Sequence, residues 1–270
     1  LWFVAWVRLR KTLRRNKAGE RARLAWDYAK EPLLIFGVVY MCAAAVAQPF
    51  YVPSGSMQPT LGIGDFLIAT KFSYGYNRYS LPFASGPTPT QRIFASQPQA
   101  GDVVVFRKPG NAAQTLVKRV IGVPGDRVQM KAGRLWINGR ELALRPDGIG
   151  KAENGPTEDS PGDYLDVYRF IETLPNGRQH PIYKHGWSGF YDDTPEYVVP
   201  PGNLFVMGDN RDDSADSRVP AEHNGVGFLP AANVMGRARV VIASVDFVNA
   251  RGLWEWPLKL RQERTLKKIR

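Results

Sequence analysis

The chain is most apolar from Leu33 to Ala47, where no residue is charged and the Tyr40 hydroxyl is the only polar side-chain group. Gln48-Pro49-Phe50-Tyr51 extends this run to nineteen residues, which at about 1.5 Å per residue reach roughly 28 Å, one hydrocarbon core. The pattern predicts a single transmembrane helix over 33–51. Beyond it the apolar positions come in short β-branched runs separated by Gly, Pro, Asn and Asp. Such runs are Phe66–Phe72, Val103–Phe106, Thr115–Val123, Arg127–Met130, Leu135–Ile137, Val167–Thr173, Gln179–Lys184, Glu196–Val199, Asn203–Met207 and Arg237–Phe247. Asn138-Gly139 and Leu174–Arg178 read as hairpin turns. No helical period competes between Gly55 and Phe247, so 52–253 reads as a mostly-β domain of short antiparallel strands. Tyr74–Gln99 reads as a surface excursion and 145–163, rich in Gly, Pro and acids, as an exposed insertion.

Charge sets the orientation of this plan. The net charge is +11, which by itself suits nucleic acid or an anionic membrane. Much of the excess lies in residues 1–32, just before the apolar run, so the N-terminus is expected in the cytoplasm and the β domain outside the inner membrane. Nucleic acid is not an expected partner; the phospholipid membrane is. Leu1–Val7 could be an interfacial anchor or the end of a further hydrophobic segment. Residues 254–270 form a basic tail in which Trp254 and Trp256 suit a headgroup region, with a plain solvated tail as the equal alternative. A rival plan also stands: Ala45-Val46-Ala47 has the form of a signal-peptide cleavage site, which would release a secreted domain.

Cys42 is the only cysteine, so there is no internal disulfide and no thiolate cluster. His180, His185 and His223 show no metal-ligand spacing, and each is expected to be exposed or hydrogen-bonded. No metal or other cofactor is called for. A nucleophile is more visible: in Pro53-Ser54-Gly55-Ser56-Met57-Gln58-Pro59-Thr60-Leu61 the Pro and Gly residues enforce a turn, and two serines stand two apart. A serine needs a base. Lys118 interrupts an apolar strand, where burial would lower its pKa, although an edge-strand solubility charge is the blander alternative. The run Gly208–Arg218 carries several carboxylates but fails the calcium-loop spacing, with Asp212 at the glycine position and Pro220 at the glutamate position. A non-catalytic domain that binds exported chains shares most of these features.

Together the Pro53–Leu61 turn, Lys118-Arg119 ahead of Gly122-Val123-Pro124-Gly125-Asp126, and the Gly208–Arg218 run resemble, in this order, the motifs of the bacterial type I signal peptidases. The resemblance implies a membrane-bound Ser-Lys serine endopeptidase that removes signal peptides from secretory preproteins after small residues at −3 and −1. It implies Ser56 as nucleophile, Lys118 as general base, and Ser54 with the Ser56 N–H as oxyanion hole. Ser214 would orient the lysine, Arg119, Asp216 and Arg218 would support the site, and Val52, Met57 and Val117 would line the substrate pockets. The carboxylates of the acidic run should then point away from the Lys118 amine, leaving Ser214 as its polar neighbour. Val219–Gly227 is longer than the short Trp-Gly turn of some members.

Overall fold

The computed structural model describes residue 6 and residues 18–76, 92–154, 163–246 and 259–269. The expectations for Leu1–Val7 (residue 6 apart), for Trp254 and Trp256, for the Cys42 side chain and for the tip of 145–163 lie outside these residues. The chain divides into two units, one up to residue 45 and one from residue 46.

The first unit contains the helix α1 (Ala18–Val46), whose first turns are rich in Ala, Arg, Glu and Leu, strong helix formers, despite Gly19, and which runs on through Pro32. Its end corrects the predicted span. Residues 47–51 do not continue the helix; they form strand β1 (Ala47–Tyr51), antiparallel to β2 (Asp65–Thr70). Pro49 biases Gln48 away from helix and lacks an N–H, which an edge strand tolerates, and pairing with β2 then makes the segment a strand. No helix among the described residues is long and apolar enough to cross a membrane.

The second unit is antiparallel β throughout its ladders. Its large sheet is ordered β1-β2-β14-β3-β4-β12-β13, with β15 also paired to β14. The additional strands are β3 (Val103–Lys108), β4 (Asn111–Gly122), β12 (Asn203–Met207), β13 (Leu229–Pro230), β14 (Val234–Ser244) and β15 (Lys267–Lys268). A four-stranded sheet, ordered β11-β5-β6-β7, contains β5 (Arg127–Lys131), β6 (Arg134–Ile137), β7 (Arg140–Glu141) and β11 (Tyr197–Val198). The Asn138-Gly139 turn links β6 to β7 with φ of 52° and 74°, the left-handed pair that a two-residue hairpin needs. A three-stranded sheet contains β8 (Ala143–Asn154), β9 (Asp163–Thr173) and β10 (Gln179–Lys184). Much of the segment read as an insertion is therefore strand: β8 pairs with β9 from Ala143↔Thr173 to Asn154↔Asp163. Its side chains are largely exposed, which is why apolar patterning did not reveal it.

Residues 259–269 are not a free basic tail. β15 pairs with β14, Ile269 is buried, and Arg264 donates from Nε and Nη2 to the Asp65 carboxylate at 2.9 and 2.6 Å. Arg261 reaches Glu153, Ile63 O and Ser244 Oγ. The tail therefore straps the turn between β1 and β2. That turn is packed from within by Val52, Met57 and Leu61 against Leu67, Val103, Val105 and Val241.

Candidate active site

Ser56 sits in a short 3-10 turn, Gly55–Met57, anchored by the buried Met57. The turn is latched to the acidic run: Asn210 N donates to Ser56 O at 3.1 Å, and Asn210 Nδ2 donates to Gly55 O at 3.3 Å. Gly208 lies against the same carbonyl, and a Cβ on it would collide with Ser56 O and with the Ser214 side chain. The local packing therefore requires glycine there.

Lys118 lies in β4, opposite Val104 of β3, and only 3% of its surface is exposed. Its Nζ is 2.5 Å from Ser56 Oγ. Burial lowers its pKa to about 8, with Arg218 pushing the same way and Asp216, Asp213 and Asp209 opposing. The carboxylates fail to restore the charge because most are engaged elsewhere. Asp216 accepts from Arg218 Nε and Nη2, both at 2.9 Å, and from Gly208 N. Asp209 accepts from Arg119 Nε and Nη2 at 2.8 and 2.7 Å and from Thr60 Oγ1. Asp212 accepts from Lys184 and from His185 N. Lys118 forms no ion pair with a carboxylate of the described residues, so the desolvation penalty on its charged form dominates.

Ser54 Oγ is 3.4 Å from Ser56 Oγ, and Ser54 is exposed at the mouth of the site. Ser214 is buried beside Gly208, but its hydroxyl makes no hydrogen bond, to Lys118 or to any other group. Val52, Met57 and Val117 line a cleft of about 130 Å³ together with Phe50, Tyr51 and Leu116, and Ser54, Ser56 and Lys118 open into it. Among the described residues, no group of His, Cys, Asp and Glu has the arrangement of a metal site.

The family described as signal peptidase, peptidase S26, matches residues 25–243. The chain belongs to that signal peptidase family. Signal peptidase I of Rickettsia massiliae (strain Mtu5) is 36% identical over 216 residues, covering 77% of this chain and 76% of that protein. Signal peptidase I of Rickettsia conorii (strain ATCC VR-613 / Malish 7) is 38% identical over 203 residues, 73% and 71% of the two chains. A crystal structure of a signal peptidase I from Enterococcus faecalis V583 matches 53% of this chain and 97% of its own at 26% identity, with a TM-score of 0.29.

Several buried residues beside the site escaped the sequence reading. Arg211 forms a two-point pair with Glu172 of β9, at 2.8 and 2.5 Å. His180 of β10 lies 3.4 Å from Glu172 Oε2 and 3.9 Å from Asp209 Oδ1. It is buried, and its Nε2 faces the Glu172 carboxylate without a well-directed hydrogen bond. Burial and then the Arg119 charge lower its pKa, against Glu172 and Asp209, which act the other way. Lys184 is held by Asp192 and Asp212. These pairs fix the run Gly208–Arg218 under the Ser56 turn, and only the pairing of β9 with β10, which sets Glu172 opposite His180, brings them together. The longer exit at Val219–Gly227 is pinned by Lys108 Nζ, which donates to Asn224 O at 2.9 Å and to Asn224 Oδ1.

Proposed function

We propose that this member of the signal peptidase family removes signal peptides from exported preproteins with Ser56 as nucleophile and Lys118 as general base. The observation that carries the assignment is the 2.5 Å approach of a buried, largely uncompensated lysine to a serine hydroxyl. With a pKa of about 8 the amine is neutral in an appreciable fraction near pH 7 to 8, and the neutral amine accepts the Ser56 proton. Ser56 Oγ then attacks the scissile carbonyl carbon. The developing oxyanion takes hydrogen bonds from Ser54 Oγ–H and the Ser56 N–H. Lys118 returns its proton to the leaving amine, and a water activated by the same amine releases the acyl group from Ser56.

The cleft supports cleavage after small residues. Phe50, Tyr51, Val52, Met57 and Val117 leave about 130 Å³ beside the dyad, enough for short side chains at −1 and −3 but not for extended or charged ones. Arg119, Asp216 and Arg218 act as supports, each engaged in a buried pair. Ser214 packs against Gly208 and acts on the lysine pocket through shape, since it offers no hydrogen bond in this state.

For the membrane, the reading rests on α1. Leu33, Leu34, Ile35 and Phe36 are between 59% and 74% exposed, an apolar surface for which lipid is the natural solvent. The basic residues before it favour a cytoplasmic N-terminus, leaving the β domain on the extracytoplasmic face. The testing experiment measures cleavage of a preprotein by Ser56→Ala, Lys118→Ala and the three single histidine variants. The dyad variants should lose activity by at least about a thousandfold. An active Lys118→Ala protein would sink the assignment of the base.

A further inference from the structure

Next to the Ser56 turn, on a wall the cleavage cleft does not share, lies a second cavity of about 210 Å³. Gln58 and Gly62 of the turn, Lys151 of β8, Arg169 of β9, and Arg264 and Lys267 of the C-terminal strap contribute to its lining. Four cations thus face one small space. Lys151, Arg169 and Arg264 are paired with Asp166, Asp147 and Asp65, but none of these carboxylates lines the cavity. Arg169 Nε, although 2.9 Å from Asp147 Oδ2, makes no directed hydrogen bond. Lys267 has no anionic partner among the described residues. Its pKa is lowered by desolvation and then by the charge of Arg264, with Asp65 opposing and Arg169 adding a smaller push in the same direction. The one carboxylate in the lining, Glu153, is already held by Arg261. Lys267 is the lining cation without an anionic partner among the described residues, so the cavity wall carries an excess positive charge that an entering anion would offset.

We infer that this cavity is a binding site for a phosphate-class anion, held by Lys267 and Arg169 with Arg264 and Lys151 completing the cationic wall. The shared chemistry is a tetrahedral phosphate oxyanion, free or as the headgroup of an anionic phospholipid. Carboxylates are a weaker match, because the lining cations come from separate elements rather than as one planar fork. The site touches the active-site turn: Gln58 Nε2 donates to Glu153 O at 3.3 Å, and Glu153 N donates to Gln58 Oε1 at 3.0 Å. Occupancy should therefore stiffen the turn as well as the strap.

The test measures thermal unfolding of the full chain in a neutral detergent. Potassium phosphate is titrated against potassium chloride at matched ionic strength, and dihexanoylphosphatidylglycerol is titrated in parallel. At about ten times the dissociation constant, a ligand specific to the folded state should raise the midpoint by roughly 3 to 5 °C. Lys267→Ala should weaken the effect by about tenfold or more, and Lys267→Arg should restore it. Lys267 lies on a short surface strand outside the dyad, so both variants are expected to fold. A shift with phosphate alone names free phosphate as the source; a shift with the lipid alone names the headgroup. An equal shift with chloride, no shift with either ligand, or an unchanged shift in Lys267→Ala overturns the inference. The same titration on Ser56→Ala protein should give the same shift, so a failure of the peptidase assignment would remain distinguishable from a failure here.

Discussion

Lys118 should make the protein less stable in the range where it is charged, and replacing it with Met tests that directly. A fall from lysine's ordinary 10.5 to about 8 corresponds to roughly 3 kcal/mol, at 1.36 kcal/mol per pH unit. The unfolded chain holds the Lys118 proton up to about pH 10.5 and the folded chain only up to about 8. Between these values the unfolded state binds more protons, so stability rises with pH; below 8 both states are protonated and the whole cost persists. Lys118→Met keeps most of the volume and removes the charge. At pH 7 it should unfold at a higher urea concentration than the parent, by up to about 3 kcal/mol, while being inactive. By pH 9.5 the parent should have recovered about 2 kcal/mol of the difference. Urea unfolding of both proteins in neutral detergent at pH 7, 8.5 and 9.5 gives the comparison. Other titrating groups cancel because they are common to both chains. A variant less stable than the parent at pH 7, or a difference that does not change with pH, would refute the claim that desolvation dominates at this lysine.

The rate of preprotein cleavage at low substrate should rise with pH along a limb centred near 8, reaching about one-tenth of its plateau at pH 7. A stopped assay across pH 6 to 10 checks this, and a limb near 10.5 would contradict it. Gly208→Ala forces a methyl against Ser56 O and the Ser214 side chain, so kcat should fall by about tenfold or more while unfolding free energy drops by about 1–3 kcal/mol. Steady-state kinetics and urea unfolding separate the two effects. Arg119→Met leaves the Asp209 carboxylate buried beside Thr60 without its guanidinium. The protein should lose about 3–5 kcal/mol at pH 7, part of it regained in the double variant with Asp209→Leu, measured as a double-mutant cycle.

Local chemistry in the sequence determined a good deal. Asn138-Gly139 dictates a left-handed turn wherever the flanking residues go. The alternation and β-branching of Val103–Phe106, Val167–Thr173 and Asn203–Met207 specify strands. The Pro- and Gly-punctuated turn around Ser56 and the break in an apolar strand at Lys118 marked the two groups that the fold places within 2.5 Å. Other features follow from partners that no local window contains. Ala47–Tyr51 is a strand because β2 is there to pair with it, and 259–269 is a strap because Asp65 and Glu153 wait for Arg264 and Arg261. Glu172 and His180 look like ordinary surface polar residues in a linear reading, yet strand register sets them side by side, buried, where Arg211 of the acidic run pairs with Glu172. The pKa of Lys118 is likewise a tertiary property. Desolvation depends on what surrounds the amine in space, and it outweighs the opposing carboxylates, of which Asp209 and Asp216 are already paired with Arg119 and Arg218.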